Sequence, residues 1–411
     1  MKDTKLYEQL LGLEQPWHVK DVDLELEAGE VVVRVEADKQ QWGCPECGKK
    51  MSIHDYSTRR WRHLDSCQFK TIISARVPRV KCSEHGTITV KVPWAEKHGR
   101  FTALFERLAL DVLRDCSAEA ARKYLRVSWD EIDHIKQKAV DRGLRRKGTV
   151  KAKAICLDEK SVGKGHDYLT VVVKVTENGP IVDYIGDGRE ETALDAFWAG
   201  HDEEALRQIN CASMDMWKAY INSVDKNLPA GKAAITHDPF HIIQNMNKAL
   251  DQVRRREVGL LSSEQAKPLK GTRFMWLYGF ENLPEKWNDC LKALKNSQMQ
   301  TARAWRLKEQ LRAMYQCETY AQAEAFFKDW NRDAMRSKLE PVKAVARMLK
   351  AHLPQVLNYF IFRVTNAYSE GMNSFIQALI KRANGYRNRM RLKRDLFFHL
   401  GGLDLYPAGV S

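Results

Sequence analysis

Between residues 154 and 238 the chain is built from short apolar runs that stop at, or just before, an acid, and this pattern restricts the fold more than any other feature. Ala154-Ile-Cys-Leu157 ends at Asp158-Glu159, Ile209-Asn-Cys-Ala212 leads into Asp215, and Ala233-Ala-Ile235 precedes His237-Asp238. Apolar runs this short read as buried strands. Two further strands, at 168–173 and 181–185, follow the first, with glycine-containing turns between them. Helical patterning occupies roughly 190–199 and 217–224. Three early strands, then helix, strand, helix and strand, are the element order of an RNase H-like α/β domain.

The preceding segments have other periods. Residues 17–37 alternate apolar and polar positions around Ala28-Gly29-Glu30, with Val19, Val22 and Leu24 before the turn and Val31, Val33 and Val35 after it; this predicts a β-hairpin. Next come Cys44-Pro-Glu-Cys47 and Cys82-Ser-Glu-His85, two knuckles with the spacing of a zinc ribbon. Three thiolates and an imidazole suit zinc, and four ligands close its coordination, so the metal is expected to be structural. Cys67 has no partner at the required spacing and reads as core. From 101 to 146 the period is helical. Leu104, Leu108, Val112 and Leu113 line one face of a first helix, Ser117 caps a second, and Ser128-Trp-Asp-Glu131 is a capping box opening a third. The short turn between the second and third predicts a helix-turn-helix, with Trp129, Asp130, Asp133, His134, Lys136 and Gln137 offered to DNA. Arg142 to Gly148, with Arg145 and Arg146, reads as a basic linker and domain boundary.

After the strands the chain is mostly helical to about residue 357, which predicts an insertion in the α/β domain, in contact with DNA or a second subunit through Arg254-Arg-Arg256. The expected division is 1–97 for hairpin and zinc ribbon, 98–148 for the helix-turn-helix, 149–245 for the first part of the catalytic domain, 246–357 for the insertion and 358–411 for a catalytic helix and basic tail. The chain thus reads as a multidomain α/β protein. Its 411 residues exceed one ordinary core. Lys and Arg total 67 against 53 Asp and Glu, a net charge of +14, which points to a polyanionic partner. No apolar stretch is long enough for a membrane span, and the N-terminus lacks a signal-peptide pattern. A reducing cytoplasm is the expected location, where nine cysteines serve as thiols or metal ligands.

Acids at strand ends suit phosphoryl transfer, in which divalent metals hold the attacking and leaving oxygens and carboxylates hold the metals. Asp158 and Asp215 fall at neighbouring strand ends. For the third acid Glu370 is the best candidate: Glu370, Asn373, Gln377 and Lys381 share one face of a late helix, while Met372, Phe375, Ile376, Leu379 and Ile380 form the other. Glu159, which adjoins Asp158, and Asp238, which ends a strand, are rivals for the acid positions, and His237 and His241 are placed to reach the site or to serve as core and cap. A tract containing Lys381, Arg382, Arg387, Arg389, Arg391, Lys393 and Arg394, interleaved with Tyr386 and Met390, suits a phosphate backbone.

These pieces resemble an insertion-sequence transposase of the ISL3 family along nearly the whole chain. The resemblance rests on Cys44-Pro-Glu-Cys47, Trp61-Arg-His-Leu-Asp65, Val77 to Cys82, Asp158-Glu159 with Lys164-Gly-His166 and Tyr168, Asp215 to Tyr220, Asp238-Pro-Phe-His241, and Asn366 to Asn373. It implies a DDE triad of Asp158, Asp215 and Glu370 holding magnesium or manganese, two-metal-ion catalysis, and Glu159, His166, Asp238 and His241 near the site. It further implies double-stranded DNA as partner, both as terminal inverted repeats and as target, a homodimer or higher assembly on DNA, and a prokaryotic, nucleoid-associated setting. His85 stands where a cysteine is more usual, which zinc tolerates, and Pro239 stands where a basic or polar residue is expected. Two other classes share parts of this pattern. A transposase-derived DNA-binding regulator would not need the three acids, and other RNase H-like nucleases rarely carry two DNA-reading modules ahead of the catalytic domain.

Overall fold

A computed structural model describes residues 3–148, 152–162, 167–364 and 367–409. The chain forms two compact units. One comprises Met1–Gly148, Ile380–His399 and Leu403–Ser411, the other Thr149–Leu379 with Leu400–Gly402.

In the first unit, helix α1 (Asp3–Leu10) precedes strands β1 (Trp17–Glu25), β2 (Glu30–Ala37), β3 (Gln41–Gly43), β4 (Lys50–Arg62), β5 (Lys70–Cys82) and β6 (Gly86–Thr89). They make one sheet in the order β1-β2-β5-β4-β3, with β6 on β5. The expected hairpin is present: Val19 faces Val35, Val22 faces Val33 and Leu24 faces Val31, with an irregularity between Val19 and Asp21. The valines of β2 are buried, whereas Leu24 is half exposed at the end of the ladder. Trp17, Trp42, Trp61 and Trp94 fill the core, packed tilted or edge-to-face at centroid distances of 5.0–5.5 Å. Cys67 is exposed, not core: it sits in the β4–β5 turn with φ +56°.

Helices α2 (Ala103–Asp115), α3 (Ala118–Leu125) and α4 (Trp129–Arg146) follow, capped by Thr102, Ser117 and Ser128, each accepting from a backbone N–H of its first turn. The Ser128–Glu131 capping box closes in both directions. Between α3 and α4 the chain reverses at Arg126, in the left-handed conformation. The buried face of α2 differs from the expected one. Phe105, Glu106, Ala109, Leu110 and Leu113 point inward, while Leu104 and Leu108 border a surface cavity of about 670 Å³. Glu106 can occupy the core face because Arg142 and Lys138 bind its carboxylate at 2.7 and 2.9 Å.

The C-terminal segment belongs to this core. The helix Arg389–Leu400 contributes Leu392, Leu396 and Phe398, and the tail contributes Leu405. Asp395 binds Lys136 and Arg394 binds Asp133, at 2.7 and 2.9 Å. The expected continuous unit of 358–411 is therefore divided, because these residues complete the helical core of the first unit.

The second unit holds the mixed sheet, with β7 (Ala154–Ser161), β8 (Tyr168–Thr176), β9 (Gly179–Asp187), β10 (Cys211–Met214) and β11 (Ile235–His237) in the order β11-β10-β7-β8-β9. β7, β8 and β9 are antiparallel neighbours, and β10 and β11 add in parallel on the other side of β7. This is the RNase H-like sheet. Helices α5 (Asp195–Ala199), α6 (Glu203–Arg207) and α7 (Lys218–Asn227) connect its strands. Leu157, Val172, Phe197, Trp198, Met214 and Tyr220 meet in one core beside it.

From Pro239 to Phe362 the described chain contains helices and no strand. The helices are α8 (Pro239–Leu260), α9 (Ser263–Ala266), α10 (Arg273–Leu277), α11 (Asn288–Leu294), α12 (Gln300–Met314), α13 (Tyr320–Arg336), α14 (Glu340–Ala351), α15 (Leu353–Leu357) and α16 (Tyr359–Phe362). Met246, Leu250, Trp276, Trp305, Leu311, Phe327, Trp330 and Leu349 form their core. Asn358 fastens this layer to the sheet, donating to the carbonyls of Ala233 and Ile235 at 3.0 and 2.7 Å. Helix α17 (Ala367–Arg382) then returns past the end of β7. Its buried side carries Ser369, Met372 and Ile376, whereas Phe375, expected on the apolar face, is 62% exposed.

Candidate metal and DNA-processing sites

The zinc knuckles sit in two sharp turns, one after β3 and one between β5 and β6, where Gly48 and Gly86 take positive φ. The ligand atoms of Cys44, Cys47, Cys82 and His85 all lie within 4.8 Å of one another. Cys47 and Cys82 sulfurs are 3.7 Å apart, and the His85 Nδ1 is 3.5 Å from Cys82 and 3.9 Å from Cys44. A tetrahedron with bonds of about 2.3 Å to sulfur and 2.0–2.1 Å to nitrogen has edges of about 3.5–3.8 Å, so the four residues fit a structural zinc. The backbone N–H of Glu84 helps hold the Cys82 thiol below its ordinary pKa, which favours the thiolate that zinc needs.

The acids owe their grouping to strand register. Cys156 pairs with Ser213, and Met214 pairs with His237, in parallel ladders. Asp158 and Asp215 each lie two residues beyond a paired position, and Asp238 lies one beyond, so three adjacent parallel strands deliver three acids to one edge of the sheet. Asp158 accepts from the Glu159 backbone N–H at 2.8 Å and from Asn373 Nδ2 at 2.7 Å, and Asp215 accepts from the Trp217 backbone N–H at 2.9 Å. The Asn373 bond brings α17 to the end of β7. Burial, with a contribution from Asp215, pushes the Asp158 carboxyl up to about 6. Burial also raises Asp215, against the opposing pull of its hydrogen bond from Trp217 and the charges of His241, Arg189 and Lys248. Glu159 is raised by burial and by Asp215 and Asp158, with Arg189 3.8 Å away. Glu370, raised by burial and by Asp238, has a buried Oε1 that makes no hydrogen bond among the described residues.

His241 connects these groups, since its charge acts on Asp158, Glu159, Asp215 and Glu370 alike. Its Nε2 is buried and makes no hydrogen bond among the described residues. His237 is a core residue, 1% exposed, and burial pushes its pKa down to about 4. His166 lies outside the described residues. Sequence reasoning did not single out Arg189, which lies over the rings of Tyr168 and Trp217 at 4.5 and 4.7 Å. A lone arginine after a Gly-Asp-Gly turn carries no signal in the sequence; only the fold brings it to the acids.

Set against known protein families, residues 155–395 match the ISL3 transposase family. The chain belongs to that family. Residues 40–85 match the zinc-finger of transposases of the IS204, IS1001, IS1096 and IS1165 elements, and residues 90–135 match the helix-turn-helix domain of ISL3 transposases. The transposase for insertion sequence element IS1557 of Mycobacterium tuberculosis is 27% identical over 95% of this chain and 94% of its own length. The transposase for IS1001 of Bordetella parapertussis is 23% identical over 95% and 96%. Family membership makes the front of this transposase a DNA-binding region and its acid-bearing sheet part of a DNA-cleaving and DNA-joining domain. Among the described residues no helix is long and apolar enough to cross a membrane.

The residues expected to touch DNA are placed unequally. His134 and Gln137 are exposed on α4, and Trp129 is partly exposed beneath the Arg391 guanidinium, 4.3 Å from its centroid. Lys136 departs from the expectation. It is buried, and its ammonium is committed to Asp395. Arg145, Lys381, Arg387 and Arg389 are exposed. Arg146 is bound to Asp404, and Arg382 to His399.

Proposed function

We propose that this transposase binds the terminal inverted repeats of its element and cleaves and joins DNA with Asp158, Asp215 and Glu370 as the catalytic acids. The observation that carries the reading is the parallel register that sends acids from adjacent strands to one sheet edge, with α17 held there through Asn373. Several half-buried carboxylates keep a raised proton affinity despite the positive charges of His241, Arg189 and Lys248, and hard oxygen donors suit magnesium or manganese. Such ions, when bound, neutralise charge on the reacting phosphate and activate the attacking oxygen. Asn373 and the Glu159 N–H fix both oxygens of Asp158, and the Trp217 N–H fixes one of Asp215, so the acids are oriented before substrate arrives. Arg189 and Lys248 add positive charge beside them for the DNA backbone. His134 and Gln137 of α4 read the element ends, the exposed arginines after α17 grip phosphates, and pairing two ends calls for a dimer or larger assembly.

The test is incubation of the purified protein with linear DNA carrying the element's ends, with and without magnesium. Nicking and joining at the ends, lost in Asp158→Ala, Asp215→Ala and Glu370→Ala while end binding persists, is the expected result. Wild-type cleavage by Glu370→Ala would move the third acid to Asp238 or Glu159.

A further inference from the structure

Helix α8 carries a polar stripe that the catalytic acids do not use. His241, Gln244, Lys248, Gln252 and Arg255 recur at spacings of three and four, so they lie along one side of the helix. From Gln244 onward all four are exposed. The stripe starts at the acid cluster with His241, and Lys248 is still close enough for its charge to act on Asp215. It ends in a cleft of about 390 Å³ whose lining includes Gln244, Lys248, Asp251, Gln252, Arg255 and Arg273.

The floor of this cleft is an ion cluster with an excess of cations. Asp251 is buried, and its carboxylate receives Arg254, Arg255 and Arg273 at 2.7, 2.9 and 3.4 Å. Those guanidiniums hold its pKa below the usual carboxylate range against the effect of burial. Arg254 is largely covered and completes a local i,i+3 pair. Arg255 and Arg273 are different: their side chains are 65% and 49% exposed. One carboxylate cannot use all the donors of three guanidiniums, and both Arg255 and Arg273 line the cleft, so their surplus N–H groups are available to a ligand there. Two oriented forks with surplus charge suit a non-bridging phosphate pair better than a point-charge lysine would.

We propose that the α8–α10 cleft is a phosphate subsite for the DNA strand engaged by the acids, a contact within the catalytic unit additional to the helix-turn-helix. The inference rests on DNA being the substrate of the acid cluster. Fourteen residues separate His241 from Arg255, about 21 Å along the helix at 1.5 Å per residue. For a duplex lying along α8, at about 3.4 Å of axial rise per nucleotide, the subsite holds phosphates about six nucleotides from the reacting one.

The experiment uses the full chain and duplex DNA bearing the element ends, with the double variant Arg255→Gln/Arg273→Gln, both exposed positions. Two lost phosphate contacts should flatten the slope of log K against log salt by about 1.8, at about 0.9 per phosphate. Ethylation interference should vanish at phosphates about six nucleotides from the element end and persist elsewhere. An unchanged slope with an unchanged interference pattern overturns the proposal. The same double variant on nonspecific duplex serves as the control for bulk charge: a loss of slope with no change in the interference pattern on element ends overturns the proposal. None of these readouts requires cleavage, so a protein that binds but does not cut marks a failure of the catalytic reading, and an interference pattern unchanged in the double variant marks a failure of the subsite.

Discussion

Replacing Asp158 by Asn keeps the side-chain shape and an acceptor for Asn373 while removing one buried negative charge. A rise from 3.8 to about 6 means that the folded chain binds this proton more tightly than the unfolded chain does. At about 1.4 kcal/mol per pH unit, the ionised carboxylate then costs about 3 kcal/mol of stability once the pH is above its folded pKa. The sign is opposite to that of a salt-bridged acid. The penalty is fully present above about pH 7, fades as pH falls through 6, and is gone below the unfolded value. Part of the gain is returned in the variant, because its single amide oxygen cannot accept from both Asn373 and the Glu159 N–H as Asp158 does, and one of these donors is left facing an NH2 group, so about 1–3 kcal/mol is expected. Taking roughly 2–4 °C per kcal/mol for a unit of this size, metal-free Asp158→Asn should melt about 2–12 °C above wild type near neutral pH. The difference should shrink toward pH 4, and magnesium should stabilise wild type more than the variant. Scanning calorimetry in chelator, repeated across pH and with magnesium, measures all three. A variant that melts below wild type at neutral pH, or one whose advantage does not shrink on acidification, refutes the argument.

Cys44→Ser should release the metal: elemental analysis should fall from about one zinc per chain toward none, with loss of the ordered β3–β4 turn by hydrogen exchange. Asn373→Ala leaves Asp158 without its side-chain donor and should lower cleavage by roughly 10–100-fold with end binding unchanged, read by gel assays of both. Lys136→Ala should destabilise the first unit by about 3 kcal/mol, because Asp395 is left buried without its cation, and denaturant melts report this. Gln137→Ala should instead leave the melt unchanged and relax end recognition by about 1–3 kcal/mol, measured by competition between element ends and scrambled DNA.

The order of elements along the chain and the zinc knuckles were legible because each is a short-range pattern. Apolar runs ending in acids, and cysteines at knuckle spacing, need no knowledge of distant residues. The burial of α2 was not legible in this way. Its leucines at 104 and 108 suggested the inward face, but Glu106 turned inward instead, satisfied by Arg142 and Lys138 from another helix. Lys136 illustrates the same difficulty: a cation on a predicted recognition helix looks like a DNA contact until Asp395, far away in sequence, neutralises it. In α17 the reading placed Asn373 with the exposed polar residues and Phe375 with the core. Asn373 does lie on the polar side, bonded to Asp158, but Phe375 is exposed, because the core side of the helix is filled by Ser369, Met372 and Ile376. The arginines at 254–256 of α8 were singled out from the sequence, but their joining to Arg273 of α10 through Asp251 was not legible there.

The first unit is assembled from both ends of the chain, with Leu392, Phe398 and Leu405 packed among helices that precede residue 148. A ribosome therefore emits the zinc cluster and all three proposed catalytic acids before it emits the last pieces of the core that supports the helix-turn-helix. During synthesis, Lys136 waits for Asp395, and Arg142 waits for the carbonyl of Leu405. A gene copy cut short by a late stop codon would keep every residue of the zinc cluster and the acid edge and still lack a finished DNA-reading unit. Loss of a few dozen terminal codons is thus expected to silence an element whose proposed catalytic residues are all intact.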